Sequence, residues 1–164
     1  MKRLFCLFFA ALLLMQSGCS SAVMDPVSFY YCRDAEHYQY FSPDGVIAPE
    51  ERDLTGHRGD LRYLVGLYLA GPMEEGMVCP FPAHTQLLSA RKIVNSVRIE
   101  LSDLSESMTD AQFSLAGTCL SMTCMSFVSC GEVIVSSGDR SITITPENIL
   151  LFDNHTTEES PNGG

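Results

Sequence analysis

From Asp60 to Pro72 the sequence writes one helix with one apolar stripe. Leu61, Leu64, Val65, Tyr68 and Leu69 fall at i, i+3, i+4, i+7 and i+8, so they line a single side. Asp60 supplies an N-cap, and Gly71 followed by Pro72 ends the helix in the expected C-terminal order. A helix that is apolar on one side must cover something, and the segments around it read as strands. Residues 28–33 are aromatic-rich, and 46–54 follow with Pro49 marking an edge position. Residues 85–93 and 96–102 read as a hairpin about Val94–Asn95. In its second arm Val97, Ile99 and Leu101 alternate with Arg98 and Glu100. A second helix opens at Thr109, with Gln112 completing a capping box, and buries Phe113, Ala116, Leu120 and Cys124. Its Ser, Thr and Gly117 make it weak by propensity, so packing must hold it. Residues 131–136 and 140–145 form a last strand pair across 137–139. The order strand, strand, helix, strand, strand, helix, strand, strand predicts an α+β fold: one sheet with two helices packed on one face.

Ahead of this block stands a segment of another kind. Lys2 and Arg3 precede the uncharged apolar run 4–15, and Gln16, Ser17, Gly18 and Cys19 follow it. Twelve residues span about 18 Å as a helix, short of the roughly 30 Å hydrocarbon core, so the run reads as an export signal and not a membrane span. Small residues just before a cysteine resemble a bacterial lipobox, in which the thiol is diacylated with palmitate-like chains and becomes the new N-terminus. Cys19 is therefore the expected lipid-attachment residue, and two or more acyl chains anchor stably. The rival is cleavage after Ala22, where Ser20-Ser21-Ala22 reads as a small-x-small site and would release a secreted protein. The expected plan is a signal peptide at 1–18, a tether at 19–27, one folded domain at 28–152 and a disordered polar tail at 153–164.

Charge narrows the partners. Ten Lys and Arg against twenty Asp and Glu give a net charge of −10 over 164 residues, which excludes a phosphate-backbone partner. Loss of Lys2 and Arg3 leaves eight basic against twenty acidic residues, a mature charge of −12. Such a surface does not adhere to anionic headgroups, so membrane attachment must be through the acyl anchor.

The catalytic inventory is thin. His37, His57, His84 and His155 show no metal-ligand spacing and read as surface histidines. Cys119, Cys124 and Cys130 lack the rhythm of a structural zinc site, so neither a metal nor another cofactor is expected. Five cysteines other than Cys6 and Cys19 remain: Cys32, Cys79, Cys119, Cys124 and Cys130. They read mainly as small buried hydrophobes. An odd number leaves at least one unpaired, and helix geometry disfavours a Cys119–Cys124 bond. An oxidised pair involving Cys32, Cys79 or Cys130 stays open. Gly-x-Ser-x-Gly and Ser-x-x-Lys are absent, and Lys92 is the one lysine after the leader. Glu50/Glu51, Glu74/Glu75 and Glu158/Glu159 are adjacent pairs, better read as solvated charge than as a catalytic couple. No enzyme is expected.

The stretch Leu67-Tyr68-Leu69-Ala70-Gly71-Pro72, then Glu75-Gly76-Met77, Pro82, Thr85 and Leu87-Leu88, resembles the signature of the GerMN domain family. Glu51-Arg52 resembles the family's upstream acidic-Arg strand. Val97-Arg98-Ile99-Glu100-Leu101-Ser102 resembles its Val-x-Val-Asp-Leu-Ser strand. The resemblance implies that Arg52, Gly71, Pro72, Gly76, Pro82 and Thr85 are fold-determining motif residues and not catalytic ones. It also implies an extracytoplasmic, often lipidated protein of the cell membrane, linked with sporulation or spore germination, whose domain assembles with other envelope proteins. Two other functions are carried beside it. One is a secreted cell-envelope enzyme using Glu74 or Glu75. The other is a small-ligand-binding lipoprotein with a pocket lined by Tyr30, Tyr31, Tyr38, Tyr40 and Phe41.

Overall fold

A computed structural model describes residues 26–34 and 45–153, with side chains to residue 149. The expected signal peptide, Cys19, most of the tether, His37, Tyr38, Tyr40, Phe41 and the tail beyond 153 lie outside the described residues. Within them the chain runs β1 (Val27–Arg33), β2 (Ile47–Arg52), α1 (Leu61–Leu69), β3 (Met77–Val78), β4 (Leu87–Ile93), β5 (Ser96–Leu101), α2 (Asp110–Phe127), β6 (Glu132–Ser137), β7 (Arg140–Ile144) and α3 (Pro146–Asp153). The α+β expectation stands, as do both anticipated helix starts. Asp60 accepts from the Tyr63 N–H at 3.0 Å. Thr109 and Gln112 form the reciprocal capping box at 3.3 and 2.8 Å.

The single sheet does not. The strands form two sheets: a three-stranded one ordered β2-β1-β3, and a four-stranded one ordered β4-β5-β6-β7. β3 and α3 were not expected, and Val27, placed in the tether by its sequence, is a buried strand residue. Hydrogen bonding explains the division. On the side of β1 away from β2, the Tyr30 N–H donates to Thr123 Oγ1 at 2.9 Å. On the same side the Ser28 carbonyl accepts from Ser126 Oγ at 2.8 Å, and the Tyr30 carbonyl accepts from the Tyr68 hydroxyl at 3.1 Å. Only Cys32 and Arg33 at the strand's end pair with β3. Side chains of α2 and α1 thus occupy the edge a further strand would need. At the other edge Pro49 lies opposite Tyr30 in β2, with no N–H to offer a new neighbour.

In the larger sheet β5 and β6 are parallel, and α2 makes the crossover between them. Val97, Ile99, Leu101, Val133 and Val135 are essentially unexposed and lie on one face. Both long helices cover that face, α1 near β4 and α2 over β6 and β7, so the one-face expectation holds for this sheet. α2 also lies against β1, which makes it the layer between the two sheets. Phe29, Tyr31, Leu64, Tyr68 and Leu120 join the sheet residues in one core. Among the described residues no helix is long and apolar enough to cross a membrane.

Candidate functional site

The alternation of β2 places Glu50 and Arg52 on one face, and pairing with β1 sets them beside Phe29 and Tyr31. The Arg52 guanidinium lies 4.6 Å from the centre of the Phe29 ring and 5.6 Å from that of Tyr31. Its Nη2 donates to the Gly71 carbonyl at 2.8 Å and its Nη1 to the Leu67 carbonyl at 3.4 Å. α1 carries no basic residue in its last turn, so Arg52 brings the cation that its C-terminal carbonyls attract. The Arg52 Nε is ion-paired with Glu50 Oε1. Glu50 Oε2 accepts the backbone N–H groups of Met73 at 2.8 Å and Glu74 at 3.0 Å. One ion pair therefore clamps both sides of the Gly71–Pro72 turn.

Glu50 is 2% exposed, which corrects its reading as solvated charge; Glu51 beside it is exposed and accepts from Ser28 Oγ at 2.6 Å. Burial pushes the Glu50 carboxyl up. The hydrogen bond from Arg52, those from the Glu74 and Met73 N–H groups and the Arg52 charge outweigh that and hold it below the usual carboxylate range. Gly71 takes φ +98°, the left-handed conformation that closes α1. Further along the loop the Gly76 carbonyl accepts from the Asp34 N–H at 3.0 Å, while the Pro82 carbonyl accepts from Thr85 Oγ1 at 2.7 Å and its N–H at 2.9 Å. Between them Phe81 is buried edge-on to Tyr68, with ring centres 6.3 Å apart.

Of the motif residues, Arg52 and Gly71 are thus in direct contact and Pro72 adjoins them. Gly76, Pro82 and Thr85 close successive turns of the same loop, and Cys19 lies outside the described residues. Glu50 was missed, although a Glu-x-Arg spacing on a strand is itself a same-face ion-pair signal. The Glu74 and Glu75 side chains are exposed. Tyr31 is fully buried and stacked on Tyr68, with centroids 4.8 Å apart and its hydroxyl on the Tyr68 carbonyl at 3.2 Å, so it is a packing residue rather than the wall of an open pocket. His57 and His84 are exposed, His57 stacked on Tyr63. No group of three potential metal ligands occurs among the described residues. Cys32, Cys119 and Cys124 are buried thiols and Cys79 and Cys130 half-buried ones; Cys32 Sγ lies 4.0 Å from Cys119 Sγ.

No family model matches the chain, and neither does any curated protein. Solved structures similar to it include a candidate lipoprotein from Clostridium perfringens, at 18% identity and a TM-score of 0.46, over 75% of this chain and 88% of that one. They also include the tandem GerMN domains of the sporulation protein GerM from Bacillus subtilis, at 16% identity and a TM-score of 0.47. That similarity covers 76% of this chain and 43% of the tandem structure, so the chain spans less than half of the latter's length.

Proposed function

We propose that the chain is an extracytoplasmic, membrane-anchored lipoprotein, held by acylated Cys19, whose GerMN-like domain grips another envelope protein in sporulation or spore germination. The leader residues and the motif around Gly71–Pro72 support the setting. The observation that carries a binding role is the tip of the β4–β5 hairpin. Val94 there is 92% exposed and Ile93 51% exposed. Val94 also has φ +55°, which a β-branched residue adopts at a cost of about 1–3 kcal/mol and which Asn or Gly would adopt far more easily. An apolar side chain kept in water on a strained backbone earns its place by what it touches outside the molecule. The Arg52–Glu50 clamp serves the fold, since its polar groups are engaged with one another and with the backbone.

Cross-linking in intact cells, followed by purification of the chain, tests the proposal. The wild type should carry a second envelope protein. Ile93→Ser/Val94→Asn should lose it while remaining as stable as the wild type or gaining about 1 kcal/mol from the relieved turn. Recovery of uncross-linked monomer from the wild type, or an unchanged adduct with the variant, overturns it.

A further inference from the structure

Cys32 and Cys119 are brought together by elements that leave neither of them room to drift. Cys32 is held in β1 between Ile47 of β2 and Val78 of β3. Cys119 sits inside α2, and one turn further on Thr123 takes the N–H of Tyr30, two residues before Cys32. The hydrogen bond that seals the edge of β1 therefore also sets the register of the two thiols. Their sulfurs are 4.0 Å apart, with Cys119 unexposed and Cys32 6% exposed. A disulfide needs about 2 Å, so forming it draws the two sulfurs together by roughly 2 Å. Cys79 also lies close enough to interact with both, but its thiol donates to the Tyr68 carbonyl at 3.8 Å. Cys124 is five residues further along α2, about 7.5 Å of helix rise away from Cys119.

We propose that Cys32 and Cys119 are joined by a disulfide in the exported protein, stapling β1 of the smaller sheet to the helix that covers the larger one. The inference goes beyond the binding role and shares with it only the expectation of export to an oxidising compartment. The oxidant is a disulfide-bearing molecule, either a small-molecule disulfide or a thiol–disulfide oxidoreductase. Cys32 is the residue it reaches, and the hydrogen bond from Cys119 favours the Cys32 thiolate, while the same bond and burial push the Cys119 thiol up. The Cys32 thiolate attacks one sulfur of the oxidant, forming a mixed disulfide and expelling the other sulfur as a thiolate. Cys119 then gives up its proton, attacks Cys32 Sγ and expels the second thiolate. Two protein thiols lose two protons and two electrons, and the oxidant's disulfide becomes two thiols.

The full chain, expressed with its own leader, is alkylated in intact cells, purified without reductant and cleaved at methionine. Cleavage there puts every relevant cysteine on its own fragment: Cys32 on 25–73, Cys79 on 78–108, Cys119 on 109–122, Cys124 on 123–125 and Cys130 on 126–164. The expected product is 25–73 joined to 109–122, resolving into its two parts on reduction. Alkyl label on both Cys32 and Cys119, or 25–73 joined to 78–108, overturns the proposal. The fragment ending at Met24 reports cleavage of the leader separately, so failure of export and failure of the pair are distinguishable. On the purified protein, reductant should lower Tm by about 10 °C, as expected for so long a closed loop, and should not move the Tm of Cys32→Ala. An equal shift in both also overturns it.

Discussion

Arg52 caps a helix it does not belong to, stacks on two aromatic rings and neutralises a buried acid, and these roles respond differently to substitution. Arg52→Met leaves Glu50 buried without its cation and should cost about 3–5 kcal/mol. Glu50→Leu/Arg52→Met removes both charges and should cost less than Arg52→Met alone, although the Leu67 and Gly71 carbonyls lose their donor. Urea unfolding of the wild type, Glu50→Leu, Arg52→Met and the double variant measures this; additive losses would show that the two residues act independently. The pH dependence follows from the same site. The folded protein holds the Glu50 carboxyl below its free value of about 4.3, so the ionised form favours the fold. That stability is complete above the free value and is lost as pH falls through the lower folded value. Stability measured between neutral pH and about 3 should therefore fall less steeply for Glu50→Gln than for the wild type. Parallel acid limbs would assign the acid sensitivity to other carboxyls.

At the scale of elements, α2 shows how a sequence with poor helix propensity can be correct for its place. The Thr123 hydroxyl accepts from the Tyr30 N–H at 2.9 Å and donates to the Cys119 carbonyl at 3.0 Å, so both its hydrogen-bonding roles are filled. Thr123→Val keeps the shape and orphans a strand N–H, which should cost about 1–3 kcal/mol, whereas Thr123→Ser should cost well under half of that. Equal losses in denaturant midpoint would mean that packing of the methyl group, and not the hydroxyl, matters there. Gly117 is the other apparent weakness, and it marks a close approach. A Cβ added there would sit 2.2 Å from Ile142 Cδ1 on β7. These features separate what was legible from what was not. Helix stripes, caps and the β4–β5 and β6–β7 turns are local patterns, and they stand out in the sequence within a residue or two. Strand pairing is not local. Nothing in residues 28–33 announces that a helix ninety positions later will cover the edge of β1, and so two sheets were expected as one. Glu50 is legible only in part, since its pairing with Arg52 follows from local strand alternation while the Met73 and Glu74 N–H groups on its other oxygen do not. Its neighbour Glu51 suggested a charge pair, while its partners are set by the alternation of a strand and by a turn more than twenty residues away.

The described residues form two sheets but one core, and α2 is shared between the sheets. If the shared core governs unfolding, the smaller sheet cannot melt by itself without exposing the Phe29, Tyr31 and Tyr68 rings and orphaning the edge of β1. The sequence supplies the probes for this. All six tyrosines lie between residues 30 and 68, in the half that carries β1, β2 and α1, and there is no tryptophan to mask them. Far-UV circular dichroism instead weights α2, the eighteen-residue helix over the larger sheet. Tyrosine fluorescence and helix signal should therefore show the same urea midpoint and slope. Gly117→Ala, which drives a methyl group into Ile142 at the far side of α2 from β1, sharpens the experiment: it gains about 1 kcal/mol of helix propensity and loses more to overpacking. A shared core requires its lowered midpoint to appear equally in the tyrosine signal, from residues it does not touch, and Ile142→Val, which removes the clashing Cδ1, to restore both signals together. A tyrosine transition left at the wild-type midpoint while the helix signal moves would make the smaller sheet an independent unit docked on the larger.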